Sequence, residues 1–202
     1  MNHTPQIKKA IQFAAKKHNG LYRKDGERLP AVTHLFSVAL LVAEDGADDN
    51  VVIAALLHDT LEDTTTTAGE IEEQFSLTVR TLVETVSETT HDTSGKRLSW
   101  RERKESYFKK LETAPVDALV IMAADKIDNI ESKLAAFKAE GPRIFKRWAQ
   151  PALEYLWYHR TALELAQKRI PKHPLTKRLA EAHMRENVVF SASHEAPVVR
   201  KN

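Results

Sequence analysis

Cysteine is absent from this sequence of 202 residues. Disulfide bonds, thiolate metal sites and cysteine nucleophiles are therefore excluded, and any bound metal must use nitrogen and oxygen ligands. An excess of one charge is also lacking, because 30 basic residues stand against 28 acidic ones, for a net charge of +2. So small a net charge gives no reason to expect binding to nucleic acid.

Long apolar runs are missing as well. No stretch approaches the roughly 20 residues that a membrane-spanning helix needs, and the N-terminal residues lack the apolar core of a secretory signal. We therefore expect a cytoplasmic protein without a membrane partner. Neither an alternating strand pattern nor an internal repeat is visible in the sequence.

Helical periodicity runs through almost the whole chain and predicts an all-α bundle, a single domain of roughly eight to ten helices. Thr4 followed by Pro5 is typical of a helix start, since threonine caps well and proline suits the first turn. Ser99 and Glu102 have the spacing of a capping box and predict a second clear start.

The predicted domain organisation is simple. Residues 1–170 are assigned to one domain and residues 171–202 to a C-terminal appendage. Within the appendage an amphipathic helix is predicted over about 174–187. The remaining residues, 188–202, have no clear period and are expected to form a loose tail.

Residues 51–64, read as VVIAALLHDTLEDT, combine an apolar helix with a cluster of charges. Seven apolar residues without a break predict a helix buried on all sides. The charges that follow are His58, Asp59, Glu62 and Asp63, and such a group is costly to bury without a cation. An acid-rich helix end exposed to solvent is the alternative interpretation. The second acidic pair, one turn later, favours the metal, because it would place a proton carrier beside the ligands.

Four side chains from three predicted helices are candidate metal ligands. Asp125 interrupts an otherwise apolar run, so its carboxylate needs a cation or several hydrogen-bond donors. For His34, at the start of the second helix, a backbone hydrogen bond is the alternative role. Two imidazoles with two carboxylates suit Mn²⁺, with Fe²⁺ or another divalent ion as an alternative. The predicted ligands are His34, His58, Asp59 and Asp125.

The order of these residues resembles that of the HD-domain metal phosphohydrolases. HDTLEDT at 58–64 and ADKIDN at 124–129 are similar to the branch that contains the small alarmone hydrolases and the hydrolase half of the RelA/SpoT proteins. KH at 17–18 and RKDG at 23–26 match the same branch. The resemblance implies a helical HD domain that hydrolyses guanosine 3′-pyrophosphates such as (p)ppGpp, with one Mn²⁺ per chain and release of pyrophosphate.

The resemblance also implies roles for individual residues. It makes Glu62 and Asp63 catalytic, and it places the basic pair Arg23 and Lys24 and the amide of Asn129 against the substrate. Asn129 lies one helical turn after the acid of the same motif, so helix geometry also predicts its amide beside the metal.

Further substrate contacts are predicted from side-chain chemistry. Arg101 and Lys104 are candidates to hold phosphate, because guanidinium and ammonium groups match phosphate oxygens. Tyr155, or alternatively Tyr158, would supply an aromatic wall near the ribose.

The chain departs from the family pattern around its first ligand. The alarmone hydrolases usually read Y-x-x-H-P there, whereas Ala31 and Leu35 occupy the tyrosine and proline positions. Three functions stay open: a stand-alone hydrolase of (p)ppGpp or its adenosine analogue, a broader nucleotide phosphohydrolase, and a nucleotide-sensing module without turnover. The acidic pair at 62 and 63 disfavours the sensor. A homo-oligomer is compatible with each.

Overall fold

The computed structural model describes residues 4–23 and 29–194. Those residues form ten α-helices and one 3-10 helix and contain no β-strand, so the predicted all-α fold is confirmed. The helices are α1 Pro5–Lys17, α2 Val32–Glu44, α3 Asp49–Leu57, α4 Thr60–Asp63, α5 Ala68–Gln74, α6 Leu77–Val86, α7 Trp100–Leu111, α8 Val116–Glu140, the 3-10 helix Gly141–Arg147, α9 Ala152–Arg169 and α10 Pro174–His194.

Side-chain caps define several helix starts. Thr4 accepts a hydrogen bond from the backbone of Ile7 at the start of α1, and the predicted capping box of Ser99 and Glu102 opens α7. Asp48 caps α3 by accepting bonds from the first backbone N–H groups of that helix. Such caps satisfy amide groups that have no partner within the helix.

Helix α3 lies at the centre of the bundle. Residues 51–57 are all buried, and α3 is in contact with α1, α2, α6 and α8. A helix with apolar residues on every side needs neighbours on every side, so the packing follows directly from the sequence. The C-terminal end of α3 therefore carries the next residue, His58, into the protein interior.

The chain does not continue as one helix through the charged residues. Helix α3 ends at Leu57, His58 and Asp59 form a turn, and α4 is a separate helix of 4 residues. Thr64 ends α4 by donating its hydroxyl to the carbonyl of Thr60 at 2.7 Å. Because of this turn, the acidic residues that follow α3 line a cavity and do not continue along the buried core.

Helix α8 supplies the second half of the cavity. It has 25 residues, and residues 118–127 are all buried, whereas the C-terminal half is largely half-buried or exposed. The ADKIDN segment lies where the buried half gives way to the accessible half. None of the helices in the described ranges has the length and apolar character required to traverse a bilayer.

The C-terminal helix is longer than the sequence predicts. It begins at Pro174, as expected, but it runs to His194. The predicted loose tail is therefore wrong for residues 188–194, while residues 195–202 lie outside the described ranges. Helix α10 packs against α8 and α9, and its apolar residues join the same core.

Aromatic contacts explain the extension of α10. Phe190 is completely buried, and its ring centroid lies 6.0 Å from that of Phe137, 5.7 Å from Phe145 and 5.1 Å from Trp148. These partners come from α8 and from the segment around the 3-10 helix. Because the rings are distant in sequence, local periodicity gave no sign that the helix would continue.

Candidate metal centre and active site

The four predicted metal ligands lie together between α2, α8 and the end of α3. Nε2 of His34 lies 3.2 Å from Nε2 of His58, 3.7 Å from an oxygen of Asp59 and 3.2 Å from an oxygen of Asp125. Nε2 of His58 lies 3.3 Å from Asp59 and 4.0 Å from Asp125. His34, His58 and Asp59 each offer one potential ligand atom, and these three atoms lie within 4.8 Å of one another. Two nitrogens and two carboxylates thus converge on one point.

Both imidazoles are bonded at Nδ1, which leaves Nε2 directed toward that point. Nδ1 of His58 lies 2.8 Å from the carbonyl oxygen of Ala55, and Nδ1 of His34 lies 2.6 Å from a carboxylate oxygen of Asp128. A hydrogen on Nδ1 selects the tautomer whose Nε2 lone pair can bind a metal. Asp128 therefore orients a ligand, a role that the sequence analysis missed. Its spacing of three residues from Asp125 on α8 could have indicated it.

Carboxylates surround the imidazole of His34. Burial by itself lowers the pKa of His34, but hydrogen bonds to Asp125 and Asp128 and the charges of Asp125 and Asp59 raise it to about 9. Burial alone would raise the pKa of Asp125, yet the neighbouring Lys126 ammonium and His34 hold it well below its usual range. The proton that His34 attracts occupies the place where a cation would bind. Mixed nitrogen and oxygen donors of this charge fit a divalent metal ion.

Glu62 and Asp63, on α4, line the cavity beside the four ligands. The Glu62 carboxylate accepts the backbone N–H of Glu88 at 2.8 Å and remains accessible to solvent. Surrounding protein atoms, together with the charges of Asp59 and Glu88, raise the pKa of Glu62 to about 7. A carboxyl group with this pKa can both accept and return a proton near neutrality.

The cavity has a volume of about 500 Å³, which suits a ligand of nucleotide size. Cations and aromatic rings form much of its wall. The ammonium groups of Lys104 and Lys126 lie 4.4 Å and 4.6 Å from the ring centroid of Tyr158, and that of Lys133 lies 4.6 Å from the ring centroid of Tyr155. Such a wall offers charge for phosphate and flat faces for a base or sugar.

A family model of the HD domain matches residues 10–151 of this chain. The chain belongs to the HD-domain family. The matched range contains the four predicted metal ligands and the acidic pair on α4.

Two similar proteins carry the same enzyme name. An Aquifex aeolicus protein named guanosine-3′,5′-bis(diphosphate) 3′-pyrophosphohydrolase is 41% identical over 140 residues, which are 68% of this chain and 19% of that protein. Human MESH1, a protein of the same name, is 42% identical over 127 residues, 62% of this chain and 68% of its own. The chain thus spans about a fifth of the first and about two thirds of the second.

A solved structure supports the same relationship. It belongs to a metazoan ortholog of SpoT that hydrolyzes ppGpp, and it superposes with a TM-score of 0.76 at 26% identity. The match covers 93% of this chain and 99% of the other. The fold of that solved structure therefore matches nearly all of the present chain.

Four of the predicted substrate-binding residues line the cavity of this HD domain. They are Arg23, Lys104, Asn129 and Tyr155. The Arg23 guanidinium donates to Asp128 at 3.1 Å and to the hydroxyl of Ser132 at 3.0 Å, which fixes its plane at one side of the cavity. The Asn129 amide donates to Asp125, the predicted metal ligand one turn before it.

Arg101 is placed differently from the prediction. It is not among the described residues that line the cavity. Its guanidinium carbon lies 3.2 Å from the ring centroid of Trp157, and it forms ion pairs with Glu105 and Glu154 at 2.9 Å and 3.0 Å. Two carboxylates and an indole face occupy the guanidinium, so Arg101 has no part in the site proposed below. Lys24 lies outside the described residues.

Other residues of the HD-domain cavity escaped the sequence analysis. Lys126 and Lys133 line the wall, and residues 125, 129 and 133 follow the helical spacing that could have revealed the second of them. Trp148 and His159 also line the cavity, but no local sequence pattern indicates that they would. Their positions depend on how the 3-10 helix and α9 pack. His159 is 1% exposed.

Proposed function

We propose that this HD domain hydrolyses guanosine 3′-pyrophosphates such as (p)ppGpp and releases pyrophosphate with the help of one Mn²⁺. The observation that carries the proposal is the convergence of four metal-ligand side chains beside the acidic pair Glu62 and Asp63, in a cavity of about 500 Å³. The names of the Aquifex and human relatives, and the solved structure, support this substrate class.

The metal would be held by His34, His58, Asp59 and Asp125. Their mixed nitrogen and oxygen donors favour Mn²⁺, with Fe²⁺ as the alternative. When bound, such an ion withdraws charge from phosphoryl oxygens and makes water easier to deprotonate. Asp128 would support metal binding indirectly, because its hydrogen bond with Nδ1 of His34 keeps Nε2 directed toward the proposed metal site.

Glu62 is the proposed proton carrier, because its pKa of about 7 matches neutral conditions. It takes a proton from the attacking water while the adjacent Asp63 orients that water. The water oxygen bonds to the phosphorus next to the ribose, and the bond from that phosphorus to the 3′-oxygen breaks. Pyrophosphate leaves, and the proton held by Glu62 passes to the 3′-oxygen.

The remaining contacts follow from the cavity wall. Lys104 and Lys126 neutralise phosphate charge, since both ammonium groups lie at the cavity and within 5 Å of the same Tyr158 ring, at 4.4 Å and 4.6 Å. Arg23 and Tyr155 hold the nucleoside, because a guanidinium plane and a phenol ring both present flat faces. Asn129 binds Asp125 and supports the ligand from the adjacent turn.

A second candidate substrate is the corresponding adenosine 3′-pyrophosphate. Ala31, which stands where the family usually has tyrosine, lines the cavity. A methyl group in place of a phenol ring leaves more space on that side and removes a hydroxyl that could select the base.

A nucleotide panel tests the proposal. The purified chain would be incubated with Mn²⁺ and ppGpp, pppGpp, ppApp, GTP or ATP, and pyrophosphate and orthophosphate would be measured separately. Pyrophosphate from ppGpp or pppGpp is expected, and a clear preference for ppApp would support the second candidate. Release of orthophosphate alone, or turnover restricted to GTP or ATP, would contradict both.

A further inference from the structure

A buried hydrogen-bonded pair joins α9 to α10 beside the cavity. Nδ1 of His159 lies 2.7 Å from one carboxylate oxygen of Glu186 and 2.9 Å from the other. The two side chains are 1% and 0% exposed. His183 lies 3.2 Å from the same carboxylate. An acid buried this completely needs such partners, and they fix the orientation of the His159 ring.

The direction of the hydrogen bond follows from the charges. Burial alone would raise the pKa of Glu186, but the adjacent His159 and His183 lower it overall. Burial lowers the pKa of His159, despite the nearby acid. An ionised carboxylate can only accept, so Nδ1 of a neutral His159 donates to it. The other ring nitrogen, Nε2, is then a hydrogen-bond acceptor.

Nε2 of His159 is the ring nitrogen that remains for a bound molecule. His159 lines the cavity, and Glu186 occupies the Nδ1 side of the ring. Among the described residues, the hydrogen bonds of this ring are made by Nδ1. The rings of Tyr155 and Tyr158 flank the imidazole, with centroids 6.4 Å and 5.5 Å away.

We propose that His159 is a specificity-determining contact for the nucleoside part of the substrate, with Glu186 as its positioning residue. Nε2 accepts a hydrogen bond from a donor group of the ligand. An ionised phosphate has no hydrogen to donate, so the contact recognises a hydroxyl, an amino group or a ring N–H instead. The inference rests on the proposed function, where the 2′-hydroxyl of the ribose and the N1–H and exocyclic amine of guanine are the three donors of this kind.

The kinetic test compares His159→Phe with the wild type. Phenylalanine keeps a ring of similar size and removes the acceptor nitrogen. With ppGpp, KM is expected to rise about 3- to 10-fold, the usual effect of one lost hydrogen bond, while kcat stays within about twofold. His159→Gln, which retains an acceptor oxygen, should recover part of the loss.

Substrate analogues separate recognition from mere packing. The inosine analogue of ppGpp lacks the exocyclic amine, the N1-methyl analogue lacks the ring N–H, and the 2′-deoxy analogue lacks the hydroxyl. The analogue that lacks the true donor should show the same KM for wild type and His159→Phe. An equal KM penalty on ppGpp and on all three analogues would overturn the proposal, because it would show a structural effect only.

Nitrogen NMR of histidine-labelled wild-type protein provides a readout independent of turnover. The His159 signals are assigned by their loss in His159→Phe. We expect a proton on Nδ1, none on Nε2, and a changed Nε2 shift when metal-free protein is saturated with ppGpp. A proton on Nε2, or an unchanged shift in nucleotide-saturated protein, would overturn the proposal. Absence of ppGpp turnover by wild type would instead refute the proposed function, and the NMR titration would then be repeated with the nucleotide that is hydrolysed.

Discussion

In each histidine of the candidate metal centre, Nδ1 is engaged by a hydrogen bond to a neighbouring residue. The Ala55 carbonyl engages Nδ1 of His58, and the Asp128 carboxylate engages Nδ1 of His34. Asp125 is held similarly, by Asn129 from the next turn and by the ammonium of Lys126. At the scale of single residues, the proposed ligands are therefore already oriented by the protein, and this would lower the cost of binding an ion.

Asp128→Asn tests this orientation. An asparagine amide can donate to Nδ1 of His34 and so stabilise the tautomer that has no lone pair on Nε2. We expect Mn²⁺ affinity to fall about 10- to 100-fold, as for other groups that support metal ligands. Calorimetric titration measures it, with Asp117→Asn, at an exposed position early in the same helix, as the control. Equal affinity in the two variants would contradict the role of Asp128.

Asp63→Ala and Glu62→Gln test the acidic pair. Both variants are expected to retain the metal, because neither residue belongs to the four ligands. Their kcat for ppGpp should fall about 10²- to 10⁴-fold, the range for loss of a general acid or base. Metal content and pyrophosphate release would be measured on the same samples. Glu73→Gln, which changes an exposed acid on α5, should leave both unchanged. Undiminished turnover would remove the assigned role.

The pKa of about 9 for His34 predicts that metal and proton compete. The pKa is raised above its ordinary value of 6.5, so the folded metal-free protein holds this proton at neutral pH and loses the associated stability as the pH rises through about 9. Near pH 7.5, binding of Mn²⁺ should release about one proton per site. Titrations in buffers of different ionisation enthalpy measure this number. Release that does not diminish above pH 9 would contradict the assignment.

At the scale of helices, α8 concentrates several functions on one face. It supplies the proposed ligand Asp125, the supporting acid Asp128, the amide of Asn129 and the cavity cation Lys133. These positions are three, four and eight residues from the ligand, so helical geometry brings them to the same side. A kink or register shift in this one helix would disturb the metal ligand and the cavity wall together.

The C-terminal part of helix α10 packs against the rest of the molecule through Phe190. Phe190→Ala should lower the free energy of unfolding by about 3–5 kcal/mol, because it leaves a cavity among buried aromatic rings. Val188→Ala, in the same segment but exposed, should change it by about 0.5 kcal/mol or less. Urea unfolding measures both. Similar small effects in the two variants would show that residues 188–194 behave as the loose tail predicted from sequence.

At the scale of the whole molecule, the metal would connect three helices that are distant in sequence. His34 comes from α2, His58 and Asp59 from the turn after α3, and Asp125 from α8. An ion held by all of them would bind only the folded state. Metal binding at the proposed site would therefore be coupled to folding.

Thermal unfolding measures this coupling. At a free Mn²⁺ concentration of 100 times Kd, binding contributes about 2.7 kcal/mol, which corresponds to a Tm about 5–10 °C above that of chelator-treated protein. His58→Ala should abolish most of the shift, whereas Glu73→Gln should preserve it. A shift of the same size in His58→Ala would mean that the ion binds elsewhere.

Much of this protein could be read from local patterns. The all-apolar stretch at 51–57 had to be buried, and helix caps such as Thr4 and Ser99 depend only on neighbouring residues. Asp125 could be singled out as a candidate ligand because it is an acid within an apolar helix, a placement that demands a cation or donors. The convergence of the predicted ligands was expected from the family resemblance, and the packing of α2, α3 and α8 brings it about.

Other features required the tertiary structure. The pairing of His34 with Asp128, the seating of Arg101 on Trp157 and the burial of His159 against Glu186 each join residues on different helices. Sequence spacing describes which side chains share one helix face. It carries no information on which faces meet, because the angle and depth at which two helices pack depend on the side chains of both.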